Sequence, residues 1–471
     1  MDAVLLSRIQ FALAAGFHFI FPPLTLGMGL LIVINETLYY KKGEELYKTI
    51  SKFLVKIFAL IFAIGVASGI VLEFSFGTNW SNYSRLVGDI FGAPLAAEGV
   101  LAFFLESVFL GVLLLGRDRV SKKAYLVSAY LVFFGSHLSA LWIIIANSWM
   151  QTPAGFVIEG GRAILTNFFE AAINHSTAER FLHTIVGGWQ SGSLFLAGIS
   201  SWYILKKRDI QPAQAMLKLS LTIFIVMSFL QFGTGHMHAV QVAKTQPVKM
   251  AAMEGLWESK DGAPLSVWGF PVASEKKTYL EIGIPKLLSI MVYADPNARI
   301  QGLNEFPDEL HPPVFLTFQV YHVMIGLGSL FALMSLIGIF LILKKKLFET
   351  NWYLKGLLFA IPLPVIACEM GWMAAEIGRQ PWAVYNVLKT ADAASVVVPP
   401  WQILLTIIMF TVIYAFLFFI FIKFLLKLIE KGPEEIAKSS GYWEVKNGNT
   451  YSFTNYMVFF NRYPFCGLFH T

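Results

Sequence analysis

The chain has 471 residues, of which 56% are hydrophobic and only 14% charged. Soluble domains carry about 25% charged residues, so this balance excludes an ordinary soluble fold and makes the length no guide to domain count. The net charge of +6 does not indicate a nucleic-acid binder, because the Lys and Arg residues sit in short segments between long apolar runs, where membrane topology accounts for them.

A membrane-spanning helix needs about 20 apolar residues. Runs of that kind lie at 9–35, 53–75, 92–115, 124–147, 180–205, 215–234, 312–343, 356–376 and 401–426. The sequence therefore predicts an all-α polytopic membrane protein of about nine transmembrane helices. Helices 1–6 would occupy residues 1–234, an outer loop 235–311, helices 7–9 residues 312–430, and a cytoplasmic tail 431–471. Ser176 and Glu179 fit a capping box for the helix from 180, and Pro312-Pro313 suits a first turn. Basic residues cluster in alternate connections: Lys41, Lys42, Lys48 and Lys52, then Arg117, Arg119, Lys122 and Lys123, then Lys206, Lys207 and Arg208, then Lys344, Lys345, Lys346 and Lys355. Positive residues stay inside, so the N-terminus is expected outside and the C-terminus in the cytoplasm. The long loop has one helix-like stretch near 244–258, and Cys368 reads as a small packing residue.

Ionisable side chains at membrane depth are costly and mark function more often than packing. Here they are His18, Glu73, Glu98, Glu106, His137, His183, His322, Glu369 and Glu376. The helix directions place His18, Glu98, His183, His322 with Met324, and Glu376 in the outer half of the membrane, with Glu106 about 12 Å deeper than Glu98 at 1.5 Å per residue. Imidazole and thioether are axial ligands of heme iron, and a His/Met pair gives an electron-transferring heme. Pro22 cannot bond the carbonyl of His18, which loosens that helix. Glu369, Trp372 and Glu376 share one helix face, whereas His322 and Met324 point apart. A heme-free proton-coupled transporter fits the acids nearly as well, but it calls for Gly/Pro-broken helices in matching positions of two halves, which are not evident.

Several motifs together resemble subunit I of the cytochrome bd quinol oxidases over roughly residues 5–430. They are Ser7-Arg8-Ile9-Gln10-Phe11, Gly16-Phe17-His18 with Pro22-Pro23-Leu24, Glu73-Phe74 through Trp80, and the Glu98-to-Glu106 segment. Further on come Leu138-Ser139-Ala140-Leu141-Trp142, Ala146 through Gln151, and Gly371-Trp372 with Glu376-Ile377-Gly378-Arg379-Gln380-Pro381-Trp382. The resemblance implies a low-spin heme b on His183 and Met324. It implies His18 and Glu376 as iron ligands of a high-spin heme b and a heme d, or a third heme b. Trp372 resembles an indole between hemes, Glu98 an acid beside them, Glu106 and Ser139 members of a proton route, and Arg379 a partner of a heme propionate. Lys249 and Glu254 match quinol-site residues of the short version of the outer loop. The implied partners are a second multi-helix subunit, a small single-helix subunit, quinol, O2 and the bacterial cell membrane. His322 stands where an Arg is expected, His137 where Asn is frequent, and His236 and His238 are additional imidazoles at the start of the loop.

Overall fold

The computed structural model describes residues 2–439. Cys466 and the aromatic-rich segment 451–471 lie outside the described residues. Helices α1 (Ala3–Phe19) and α2 (Phe21–Lys42) form one continuous apolar rod broken at Ile20. Pro22 and Pro23 take the first turn of α2, so the carbonyls of His18 and Phe19 lose their regular donors and the rod bends beside His18. α3 (Glu45–Thr78) follows. The third predicted span is interrupted. α4 (Ser81–Ala97) passes through a π-helical segment, Glu98–Phe103, into α5 (Phe104–Leu115). Next come α6 (Lys122–Gln151), the hairpin β1 (Phe156–Glu159)–β2 (Arg162–Leu165), α7 (Phe168–Ala172), α8 (Thr177–Leu205) and α9 (Ile210–Thr245).

α9 runs about three turns beyond the predicted end of its span, so His236 and His238 lie on a helix and not in a loop. The outer segment then holds α10 (Pro247–Glu254), β3 (Lys260–Asp261), β4 (Leu265–Val272), β5 (Lys277–Ile284), α11 (Leu287–Tyr293) and β6 (Arg299–Ile300). β4 and β5 pair antiparallel, as do β3 and β6. The expectation of an all-α chain thus holds for the spans, while this segment adds small two-stranded sheets. α12 (Val314–Leu343), α13 (Asn351–Phe359), α14 (Leu363–Ile377), β7 (Trp382–Val384), β8 (Leu388–Lys389), α15 (Thr390–Ala393) and α16 (Pro400–Ser439) complete the described fold.

Among the described residues seven helices are long and apolar enough to cross a membrane, against the nine runs in the sequence. All nine runs are helical. The third is shortened by its π segment, and the fifth, α8, is diluted by Gly and Ser. The capping box at 176 does not form: Ser176 bonds Asn174 and the Ser148 carbonyl instead of the helix N–H groups. Pro313 precedes α12 as its cap, outside the first turn.

α2 packs against α3, α6 and α8. Its approach to α8 is set by glycine: a Cβ on Gly27 would lie 2.5 Å from the Gly188 carbonyl and 2.6 Å from the Gly192 Cα. Gly188-x-x-x-Gly192 is a small-x-x-x-small contact that lets two backbones touch. α12 rests on α9 and α14, and α1 pairs with α16 on the flank of α3. α16 leaves Leu405, Ile408, Val412, Phe416 and Phe419 exposed, a face suited to lipid or another apolar helix.

The two ends differ. At one, basic connections meet: Arg117 pairs with buried Glu36 beneath Ser51, and Arg208 reaches the Lys431 carbonyl at 3.4 Å. At the other, Asn82 bonds the carbonyls of Asp392 and Ala394, Tyr385 bonds Met150, and Gln246 bonds Gln151. That second end carries α10 and the β4–β5 hairpin.

Candidate functional site

His18 ends α1 against α3. Its Nδ1 is 3.0 Å from Ser68 Oγ. The Ser68 hydroxyl donates to backbone carbonyls of its own helix, so it accepts from His18, which puts the proton on Nδ1. Nε2 is left as the unprotonated nitrogen, the form a metal takes. Gly69 leaves room for the ring: a Cβ there would be 3.0 Å from His18 Cε1. From α14, Glu369 reaches toward Gly16, one buried carboxylate oxygen has no partner among the described residues, and Trp372 stands 6.2 Å from Phe19.

His183 on α8 faces α9. Thr234 Oγ1 lies 3.3 Å from its Nδ1, Gln231 Nε2 lies 3.3 Å from its Nε2, and the His238 ring is 5.7 Å away. Met324 on α12 faces α14, where Gly371 makes space for the sulfur: a Cβ at 371 would be 2.8 Å from Sδ. α8 and α12 each pack on both α9 and α14, so His183 and Met324 line one four-helix junction. His322 does point elsewhere. It stacks on Phe318 at 3.8 Å and meets the carbonyls of Phe318 and Ser266.

Glu376 lies one turn beyond Trp372. Asn147 donates to it at 2.9 Å, Gln151 at 3.3 Å, and Arg379 forms an ion pair at 2.5 Å. Arg180 donates to Asn147, and Lys249 donates to Gln151 Oε1 at 2.5 Å. Three buried cations, Arg180 (8% exposed), Lys249 (2%) and Arg379 (4%), thus surround one carboxylate. A surplus of buried positive charge is costly unless anions meet it.

The π segment turns Glu98 toward α6, where Ser139 donates to it at 2.6 Å. Glu106, about two turns further on, is bonded by Ser136. Ser136 and Ser139 are three apart on one face of α6, so the two carboxylates meet a ladder of hydroxyls. His137, between them, is a packing residue: Trp189 donates to its Nε2 at 2.9 Å and its Nδ1 meets the Phe133 carbonyl at 2.7 Å. Glu73 is exposed.

Lys249 and Glu254 share α10, both 2% exposed, and they reach different neighbours. Lys249 turns to Gln151, and burial among Arg180 and Arg379 pushes its ammonium well below the usual lysine range. Glu254 turns under the β4–β5 hairpin, where the Ser266 N–H donates to Oε2 at 2.9 Å. Burial raises its carboxyl to about 8, against the lowering effect of that N–H. The reading from residue types missed Ser136 and Ser266, which look like ordinary helix and strand serines. It also passed over Arg180, three residues before His183 on the same helix.

The donors come singly from different helices, and no three His, Cys, Asp or Glu side chains converge on a metal cage among the described residues. Heme iron needs only one or two protein ligands, and surplus cations suit the two carboxylates of a porphyrin. The residues present therefore fit heme. The family model for cytochrome bd terminal oxidase subunit I matches residues 6–433. The chain belongs to this family. It is 38% identical over 444 residues to the cytochrome bd ubiquinol oxidase subunit 1 of Bacillus subtilis (strain 168), covering 92% of this chain and 95% of the relative. It is 35% identical over 505 residues to the cytochrome bd-II ubiquinol oxidase subunit 1 of Escherichia coli (strain K12), covering 92% and 97%. The bd oxidase structure from Geobacillus thermodenitrificans superposes with a TM-score of 0.86 at 28% identity, over 92% of this chain and 99% of that one. As a cytochrome bd subunit I, the chain is a multi-pass bacterial membrane protein and part of a terminal oxidase, an oxidoreductase that works with heme and a second subunit. A heme-free transporter is not favoured.

Proposed function

We propose that this chain is the heme-bearing subunit of a quinol oxidase that oxidises quinol at the outer face and reduces O2 with cytoplasmic protons. The observation that carries the reading is the set of three buried cations around Glu376, joined to iron-type donors at His18, His183 and Met324. When bound, the hemes would carry quinol's electrons one at a time to a site where O2 is reduced to water.

His183 and Met324 would hold the low-spin heme b across the α8–α12 junction. His18 and Glu376 would hold the irons of a high-spin heme b and a heme d, or of a third heme b. Arg379, with Arg180, would meet propionates, since Arg forks match carboxylates. Trp372 would stand between hemes, and Glu98 beside them. In the outer region 235–311, Lys249 would steady one oxygen of the quinol head while Glu254, on the far side of α10, takes a proton. Glu106, Ser136, Ser139 and Glu98 would lead protons inward from the basic end, which the gathering of Lys and Arg there makes the cytoplasmic one. On this reading the N-terminus is outside, residues 1–234 and 312–430 span the membrane, and residues 431–471 form the cytoplasmic tail. Taking protons inside and releasing them outside generates a membrane potential without a pumping step. The exposed face of α16 would meet lipid or a partner, either the second multi-helix subunit or a small single-helix one.

The test is the reduced-minus-oxidised spectrum of the purified complex. A low-spin b band is expected, with a far-red band if heme d is present. A colourless preparation from heme-replete cells would overturn the reading.

A further inference from the structure

Glu254 closes α10 just before the left-handed Gly255 (φ 62°). Its carboxylate is sealed beneath the hairpin, with Oε2 held by the Ser266 N–H and Oε1 buried without a partner among the described residues. Ser266, itself buried on β4, is 2.9 Å by its hydroxyl from the Glu254 carbonyl and 3.4 Å from Glu281 Oε1. β4 is bulged on both sides of Trp268, and Glu281 on β5 is exposed at the outer end. Ser266 therefore stands between the two acids, its N–H on the buried Glu254 carboxylate and its hydroxyl within 3.4 Å of the exposed Glu281 carboxylate.

We propose that Glu281 is the outer terminus of a proton exit from Glu254, with the Ser266 hydroxyl as the bridge. This rests on the reading of Glu254 as the acceptor of a quinol proton. The Ser266 hydroxyl leaves the Glu254 main-chain carbonyl, accepts the proton of the adjacent Glu254 carboxyl and gives its own to Glu281, which releases it to outer water. One proton moves, both carboxylates are restored, the serine is unchanged and no electrons are displaced. The need for an exit follows from the burial: a carboxyl held near 8 keeps its proton at neutral pH, so turnover requires a nearby acceptor that reaches solvent. The other ionisable groups facing this point do not serve. Tyr321 from α12 is a buried phenol, and both ring nitrogens of His322 lie against backbone carbonyls.

The experiment compares quinol oxidation by the purified complex and its Glu281→Gln, Glu281→Asp, Ser266→Ala and Glu254→Ala variants, using a short-chain quinol. Glu281→Gln and Ser266→Ala should lower kcat severalfold to tenfold with KM unchanged. Glu281→Asp, or tens of millimolar of a small weak base such as Tris, should restore the Glu281→Gln deficit. A normal kcat in Glu281→Gln overturns the relay, and so does a loss that appears as raised KM and resists added buffer, the mark of a merely structural hairpin residue. If Glu254→Ala itself oxidises quinol normally, the quinol-site reading falls and takes the relay with it. If Glu254→Ala fails while Glu281→Gln is normal, the relay alone falls.

Discussion

Glu254 sets a pH dependence that can be worked out in advance. Burial lifts its carboxyl to about 8. A group at that position is ionised in about one molecule in ten at pH 7 and about one in a hundred at pH 6, since each unit is a factor of ten. A base must be ionised to accept a proton. The rate of quinol-driven heme reduction should therefore rise about tenfold from pH 6 to pH 7 and level off above about pH 8. The assay is stopped-flow reduction of the low-spin band by quinol from pH 5.5 to 9, normalised to reduction by an artificial electron donor at each pH. Glu254→Ala should be slow throughout, by about 10²–10⁴, with the slope gone. Folding stability runs in the opposite direction. A raised carboxyl contributes fully below the ordinary carboxylate range, and its contribution is lost as pH rises through about 8. Glu254→Gln should then show a flatter fall of Tm between pH 5 and 9 than the parent. A wild-type rate that is flat or falling between pH 6 and 8 would refute the reasoning.

Met324→Leu keeps volume and removes sulfur, so the low-spin band should shift or vanish and quinol oxidation fail, while His322→Ala should be milder. An intact spectrum in the first and a lost band in the second would show the ligand choice to be wrong. Gly27→Ala must push α2 and α8 apart by several tenths of an ångström against backbone atoms, at a cost of ~1–3 kcal/mol. Its Tm and its low-spin band should both move, because α8 carries His183, and an unchanged Tm would contradict the close contact. Glu106→Gln and Ser136→Ala should leave quinol-driven heme reduction intact and slow O2 uptake, measured separately by absorbance and an oxygen electrode. Slowed heme reduction would instead place these residues on the electron-entry side.

The spans were legible because apolar length is a local property, and the break after His18 because proline acts on its own turn. His322 and Met324 could be separated by spacing alone. Other features depended on partners far away in the chain. Ser136 becomes informative only when the π segment and α5 bring Glu106 to it, and nothing in the run 92–115 announces a π turn. Ser176 matched a capping pattern, yet Asn174 and Ser148 compete for its hydroxyl. α9 outran its predicted end because polar residues 235–245 are helical where they pack on α10 and α12, not where they are apolar. The β4–β5 hairpin escaped notice because its strands lie in a stretch read only for charge and helix.

Gln151 touches both the outer segment and the Glu376 pocket. Its oxygen receives Lys249 and its nitrogen serves Glu376, so opposite charges hold its two ends and the amide has a fixed sense. It cannot flip without setting an oxygen against the carboxylate and a nitrogen against the ammonium. Drawing Lys249 away would release one end of this small dipole. The other end is still bound to Glu376, which then loses a fixed donor or keeps a looser one. If the outer site holds quinol as proposed, its occupancy would alter the hydrogen bonding of Glu376, and by reciprocity a change of charge at Glu376 would alter how firmly that site holds its guest.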